Sequence, residues 1–168
     1  MRFVRDAAEL GSPDLIIIPG TKTTIPDLIA LRERGLDRAI MALARGGTPL
    51  FGVCGGYQML GEMVADPHGV ESEVREVAGL GLLPLRTVFA PVKRTERARG
   101  VVVAGSGLFA GAAGLAAAGY EIHLGETVGD LPPVLRLAER QGRAVDRAGW
   151  GDGWGWVACG DLSAWVFR

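Results

Sequence analysis

Two apolar runs, each broken by glycine, constrain this chain more than any other feature. Leu15-Ile16-Ile17-Ile18 follows Asp14, is mostly β-branched, and stops at Pro19-Gly20. Thr48 to Val53 is the second, and it breaks at Cys54-Gly55-Gly56. An apolar run without alternation suits a strand buried on both faces, which is the condition of a parallel sheet. Between the two runs, Thr24 with Asp27 three residues on and Pro26 in the first turn opens a helix that carries Leu28, Ile29 and Leu31 and stops at Gly35. A second helical stretch, Leu36 to Arg45, ends at Gly46-Gly47. Gly55 to Val64 reads as the helix after the second strand. Strand and helix thus alternate up to Val64, which predicts an α/β layered fold with a mostly parallel sheet.

The remainder is less regular. Leu80 to Val88 and Gly100 to Val103 read as strands separated by a charged loop, Tyr120 to Leu124 as another, and Val134 to Leu137 as a further one before the polar segment Ala138 to Arg147. Ala104 to Gly119 is rich in alanine and glycine and fits either a helix or loosely packed chain. No internal repeat occurs. A chain of 168 residues is long enough to form one core that buries roughly 70% of its unfolded surface, so a single domain is expected. With 18 basic against 19 acidic residues, no bulk charge draws it to nucleic acid or an anionic membrane. The cluster Lys93, Arg94, Arg97 and Arg99 fits a solvated loop or, alternatively, an anion site. Two cysteines, Cys54 and Cys159, without paired spacing argue against a disulfide scaffold and a structural zinc site, and a reducing cytoplasm fits best. Met1 to Glu9 is charged and lacks an apolar export core, and no run reaches membrane-spanning length.

The chemistry concentrates at Gly52-Val53-Cys54-Gly55-Gly56, where a buried strand turns into a helix, a pattern similar to a nucleophile elbow with cysteine in place of serine. A sharp turn of this kind forces the nucleophile into an unusual backbone conformation, and flanking glycines avoid the clashes that follow. At the start of a helix the sulfur is favoured as thiolate. The Gly55 amide is expected to face the developing oxyanion, with a second donor from Gly20 at the end of the first strand. The alternative is a small core cysteine, the usual fate of a lone thiol.

These residues also carry a family resemblance. Gly52-Val53-Cys54-Gly55-Gly56-Tyr57-Gln58-Met59-Leu60-Gly61 resembles the nucleophile motif of cobyric acid synthases, and Ile18-Pro19-Gly20-Thr21-Lys22-Thr23-Thr24 their oxyanion loop. Gly79-Leu80-Gly81-Leu82-Leu83-Pro84 fits as well, and Gly119-Tyr120-Glu121-Ile122-His123-Leu124-Gly125-Glu126-Thr127 is similar to a stretch characteristic of that family. The resemblance implies a class I, triad-type glutamine amidotransferase domain with a three-layer flavodoxin-like fold. Such a domain hydrolyses glutamine and passes ammonia to a synthetase, which uses ATP and Mg²⁺ to amidate adenosylcobyrinic acid a,c-diamide in cobalamin biosynthesis. It also implies that Tyr57 and Gln58 line the glutamine pocket; Gln58 on a solvated helix face is the alternative. No phosphate-binding glycine loop with its lysine occurs, so the synthetase part is expected elsewhere, and no cofactor or metal is expected in this domain.

A thiol nucleophile needs a base, normally histidine. His68, in Asp66-Pro67-His68-Gly69, reads as an exposed turn residue, and His123 is not the family's base. That base lies in a Thr-Tyr-Leu-His-Gly motif near the C-terminus, which is absent here. In its place stands Asp161-Leu162-Ser163-Ala164-Trp165-Val166-Phe167-Arg168. Codons for Asp161 to Trp165, read one base later, can spell threonine, tyrosine, leucine, histidine and glycine, and the rest can spell two phenylalanines. The segment 149–168, in which Trp150, Trp154 and Trp156 sit among glycines, is therefore read as an out-of-frame tail, with tryptophans packed on the core as the alternative. A domain lacking its base is expected to turn over little glutamine. Two other readings remain: an amidotransferase subunit of the lipid II type, and a non-catalytic binding module on the same fold.

Overall fold

Three successive β-branched residues place Ile16–Ile18 in strand β1. In this computed structural model, which describes residues 1–103, 107–131, 133–145, 157–159 and 162–164, β1 pairs in parallel with β2, Leu50–Gly52, in the register Ile16↔Leu50 and Ile18↔Gly52. A short helix α1, Ala7–Leu10, precedes β1. Between β1 and β2 lie α2, Thr24–Glu33, and α3, Leu36–Arg45. Gly35 joins these helices with φ 67°, a left-handed conformation that costs glycine nothing. In α3, Leu36, Ile40 and Ala44 recur every four residues and are the buried face. They share one core with Ile16, Ile18, Leu28, Leu50 and Leu60.

The expected burial of the first strand on both faces is corrected by the structure. Ile16 and Ile18 are buried, but Ile17 between them is 48% exposed, so helices cover only one face of β1. On the corresponding face of β2, Phe51 packs against Phe109 of a 3-10 turn, Gly107–Ala112, with ring centroids 6.4 Å apart. The undecided segment from Ala104 thus contains that turn and then the start of a strand.

The third helix expected, Gly55 to Val64, is shorter than its pattern suggests. Helix α4 covers only Gly55–Met59, and Met63–Ala65 is strand β3. Beyond it run β4, Glu76–Ala78, β5, Leu85–Val102, β6, Ala116–Gly129, β7, Leu135–Arg140, and β8, Arg143–Ala144. A mostly parallel sheet is not what these form. They make a six-stranded sheet in which β3 and β5 pair in parallel while β3–β4, β5–β6, β5–β7 and β7–β8 are antiparallel. Parallel neighbours need a long crossover, usually helical, whereas short turns can only reverse the chain. Among the described residues of this half, a single 3-10 turn is the nearest thing to such a helix. The first sheet is mixed too, in the order β1-β2-β10-β9, where β9 is Val157–Cys159 and β10 Leu162–Ala164. β10 is parallel to β2 and antiparallel to β9.

The charged loop expected around Lys93 to Arg99 is instead the middle of β5, paired with β6 from Lys93↔Leu124 to Val101↔Ala116. An antiparallel strand tolerates such charge because one face can meet water, and Arg99 is exposed. A register shift between Val88 and Lys93 accommodates Pro91, which cannot donate to a ladder. No helix among the described residues is long and apolar enough to cross a membrane.

Candidate active site

The end of β1 and the end of β2 lie side by side, and the Val53 amide donates to the Ile18 carbonyl at 2.9 Å. The chain then reverses at Cys54, whose φ of 50° and ψ of −114° lie outside every region comfortable for a residue with a Cβ. The turn is closed by Gly56 N–H to Val53 O at 2.9 Å and Gln58 N–H to Cys54 O at 3.1 Å. Cys54 is half-buried rather than sunk in the core. Its glycine neighbours permit three close approaches. A Cβ on Gly52 would stand 2.6 Å from the Tyr57 Cα, one on Gly55 2.7 Å from the Thr21 Cγ2, and one on Gly56 2.3 Å from the Ile18 carbonyl oxygen. Gly20 is less tightly confined, since its Cβ would lie 3.2 Å from the Cys54 Cβ. The structure therefore brings Gly20, Cys54 and Gly55 to one place. Gly55 is the first residue of α4, so its amide is among the donors a helix leaves without an internal partner. With only five residues in α4, these individual amides matter more than any summed helix dipole.

Tyr57 and Gln58 are both buried. Tyr57 belongs to the main core, its hydroxyl has no hydrogen-bond partner among the described residues, and burial pushes its pKa far above the ordinary phenol range. Gln58 is not on a solvated face. Its Nε2 donates to the Leu124 carbonyl at 3.3 Å, which ties the elbow helix to β6 beside the backbone of His123. The side chains of His123 and Cys159, and the whole of Trp150, Trp154 and Trp156, lie outside the described residues. His68 is exposed, as expected.

The segment Gly79–Pro84 has a local purpose that its sequence does not announce. It wraps the C-terminal end of α4, with Leu80 N–H on Met59 O at 2.8 Å, Gly81 N–H on Gly61 O at 2.8 Å, and the amides of Leu82 and Leu83 both on Leu60 O at 3.0 Å. These are carbonyls a helix end would otherwise leave unpaired. Arg32 of α2 clamps the same segment by donating to the carbonyls of Ala78 and Gly79.

Three acidic residues whose partners across the fold sequence reasoning did not identify brace the other side. Asp27 accepts from the hydroxyls of Thr21 and Thr23, fixing the loop after Gly20 to the first turn of α2. Glu71 accepts from the Thr24 amide at 3.0 Å. Asp66, fully buried, accepts from the amides of Val70, Glu71 and Ser72 at 2.7, 2.8 and 2.9 Å. The Asp-Pro dipeptide after an apolar strand is a turn signal that could have pointed to Asp66; nothing local marks Glu71. Burial alone would raise the Asp66 carboxyl, but the bonds from Val70, Glu71, Ser72 and Gly69 outweigh it and hold the pKa below 3.8. The native state therefore binds this proton less readily than the unfolded chain. Its stabilising effect is complete above about pH 4 and fades as pH falls through the depressed native value. Asp66→Ala should cost about 2–4 kcal/mol, since three partly buried amides lose an ionised acceptor, and should flatten the acid limb of a stability-against-pH curve from urea melts. A variant as stable as the parent would show that the loop does not depend on this carboxylate.

Comparison with known proteins places the chain in a family. A family model described as the CobB/CobQ-like glutamine amidotransferase domain matches residues 1–157. Cobyric acid synthase of Dehalococcoides mccartyi strain CBDB1 is 55% identical over 127 residues, 76% of this chain and 25% of that protein. The cobyric acid synthases of Moorella thermoacetica and Pelotomaculum thermopropionicum are 50% and 51% identical over 86% and 84% of the chain, and 28% and 27% of their own lengths. The chain thus spans about a quarter of the curated relatives it matches. A crystal structure of a glutamine amidotransferase aligns with 96% of this chain and 73% of its own at a TM-score of 0.55 and 17% identity, a likeness of fold alone. The motif at the bend, the loop packed on it and the family match over residues 1–157 converge on one conclusion: the chain belongs to the CobB/CobQ-like glutamine amidotransferase domain family.

Proposed function

We propose that this domain binds glutamine at the elbow and that Cys54 is its nucleophile, in the service of a cobyric acid synthase. The observation that carries the reading is the backbone at Cys54, a strained conformation retained where Gly20 approaches the Cys54 Cβ and Gly55 is packed against Thr21 and Thr24 of the loop that follows Gly20. The Cys54 thiolate attacks the side-chain carboxamide carbon, and the amides of Gly20 and Gly55 stabilise the oxyanion. The carbon–nitrogen bond breaks, the nitrogen takes a proton and leaves as ammonia, and a glutamyl thioester remains on Sγ. Water then hydrolyses the thioester to glutamate and returns the thiol. Gln58 spends one amide proton on Leu124, and its other amide groups serve the substrate. Tyr57, although packed in the core, backs the same pocket as part of α4.

Ammonia passes to a synthetase portion that activates carboxylates of adenosylcobyrinic acid a,c-diamide with ATP and Mg²⁺. That ATP-dependent chemistry is not assigned to the residues of this domain. The described residues of this chain offer no group of three or more His, Cys, Asp or Glu side chains that could hold a metal ion.

Proton transfer is the weak step. His68 is exposed in its turn, and the histidine of Thr-Tyr-Leu-His-Gly is replaced in Asp161 to Trp165, beyond the family match. Glutamine-dependent ammonia release by the purified chain should fall several orders of magnitude below that of a domain with its base, because members of a catalytic triad act as a unit. Release at full enzymatic rates would show that another residue serves as base. The missing histidine also supports a second reading, a domain that binds a synthetase without catalysis. Capture of a substrate-like electrophile at Cys54 without turnover distinguishes the impaired enzyme from that module.

A further inference from the structure

We propose that Glu71 is a positioning residue of this site, acting as the N-terminal cap of α2 from outside the helix and so holding the Gly20–Thr24 loop against the elbow; this rests on the reading of Cys54 as nucleophile. Helix α2 begins at Thr24, yet its N-cap residue Thr23 makes no capping bond to it. Thr23 is occupied elsewhere, with its hydroxyl on Asp27 and its amide on the Thr21 hydroxyl at 3.0 Å. A first-turn amide left without an acceptor in a buried place is costly, and Thr24 is buried. Its partner is Glu71, which lies 47 positions further along the chain.

The position of Thr24 makes this more than a helix cap. Its hydroxyl oxygen lies 2.9 Å from the point where a Cβ on Gly55 would be, so Thr24 abuts the backbone of the residue expected to donate to the oxyanion. Asp66 anchors the other end of the chain of contacts through the Glu71 amide at 2.8 Å. A buried carboxylate thus fixes Glu71, Glu71 fixes Thr24, and Thr24 and Gly20 approach the elbow from one loop. Burial raises the Glu71 pKa, the amide and hydroxyl of Thr24 offset this in part, and the carboxylates of Asp66 and Asp27 add to the rise.

The test compares two reagents on the unmodified chain, Glu71→Ala and Glu71→Gln. A diazo-ketone analogue of glutamine must occupy the substrate position and use the oxyanion donors, whereas iodoacetamide needs only an accessible thiolate. Glu71→Ala should slow diazo-ketone labelling of Cys54 about tenfold or more while changing iodoacetamide labelling about twofold or less, because donor placement rather than thiol access is lost. Glu71→Gln retains a carbonyl acceptor and should stay within about threefold of the parent with both reagents. Parent-like diazo-ketone labelling of Glu71→Ala, a parallel loss with both reagents, or a Glu71→Gln as slow as alanine would overturn the proposal. An unmodified chain that the diazo-ketone does not label would overturn the nucleophile reading itself.

Discussion

Gly56→Ala is expected to destabilise the domain by about 3 kcal/mol or more and to abolish capture of glutamine analogues at Cys54. The added methyl would lie 2.3 Å from the Ile18 carbonyl oxygen and 2.7 Å from that of Pro19. Both are backbone atoms, so no side-chain rotation relieves the contact. Either β1 withdraws from the elbow, taking Gly20 with it, or α4 tilts out of the core that Tyr57, Met59 and Leu60 help to fill. Each course alters the approach of Gly20 to Cys54. Urea melts monitored by circular dichroism measure the first effect, and mass analysis of the labelled chain measures the second. Parent-like stability would mean that the elbow does not press on the end of β1.

Cys54→Gly should have the opposite effect on stability and the same effect on chemistry. A non-glycine residue at φ 50° and ψ −114° carries about 1–3 kcal/mol of backbone strain. Glycine relieves that strain but adds about 0.5–1 kcal/mol of unfolded-state entropy, for a net gain of about 1 kcal/mol. The melting temperature should rise by about 2–4 °C for a chain of this size. Cys54→Ala keeps the Cβ and the strain, so it should leave the melting temperature nearly unchanged. Comparison of the two separates the backbone from the sulfur. If glycine is no more stable than alanine, position 54 is not strained and the residue was not held there for its reactivity.

The first third of the chain was legible because its signals are local. Ile16–Ile18, the helix from Thr24, Gly35 at its end, the amphipathic Leu36–Arg45 and the glycine-framed cysteine each declare themselves within a few residues, and all appear where expected. The later half was legible only in fragments: the strands expected at Leu80 to Val88, Gly100 to Val103, Tyr120 to Leu124 and Val134 to Leu137 overlap β5, β6 and β7, but their extent comes from pairing between distant segments. β5 runs from Leu85 to Val102 through a cluster of charges that reads as a loop, and only its partner strand β6 makes it continuous. The same holds for α4, whose pattern continues to Val64 but whose end is set by Gly79–Leu83 closing over its carbonyls. Within the site, Cys54, Gly20 and Gly55 were readable from the turn they must form. Gln58 was placed in the right helix, while its bond to Leu124 depends on a strand 66 positions away. Asp66 is marked only by its Asp-Pro turn, and Glu71 shows only through the Thr24 amide it accepts from, which no local pattern displays.

The central claim is that a thiolate at this bend attacks a carboxamide held by converging backbone amides. Incubation with a diazo-ketone analogue of glutamine, followed by peptide mass mapping, tests it most directly. One adduct on Cys54, slowed by added glutamine and absent from Cys54→Ala, is the expected result. An adduct on Cys159, or a chain left unmodified while iodoacetamide still reaches Cys54, would contradict it.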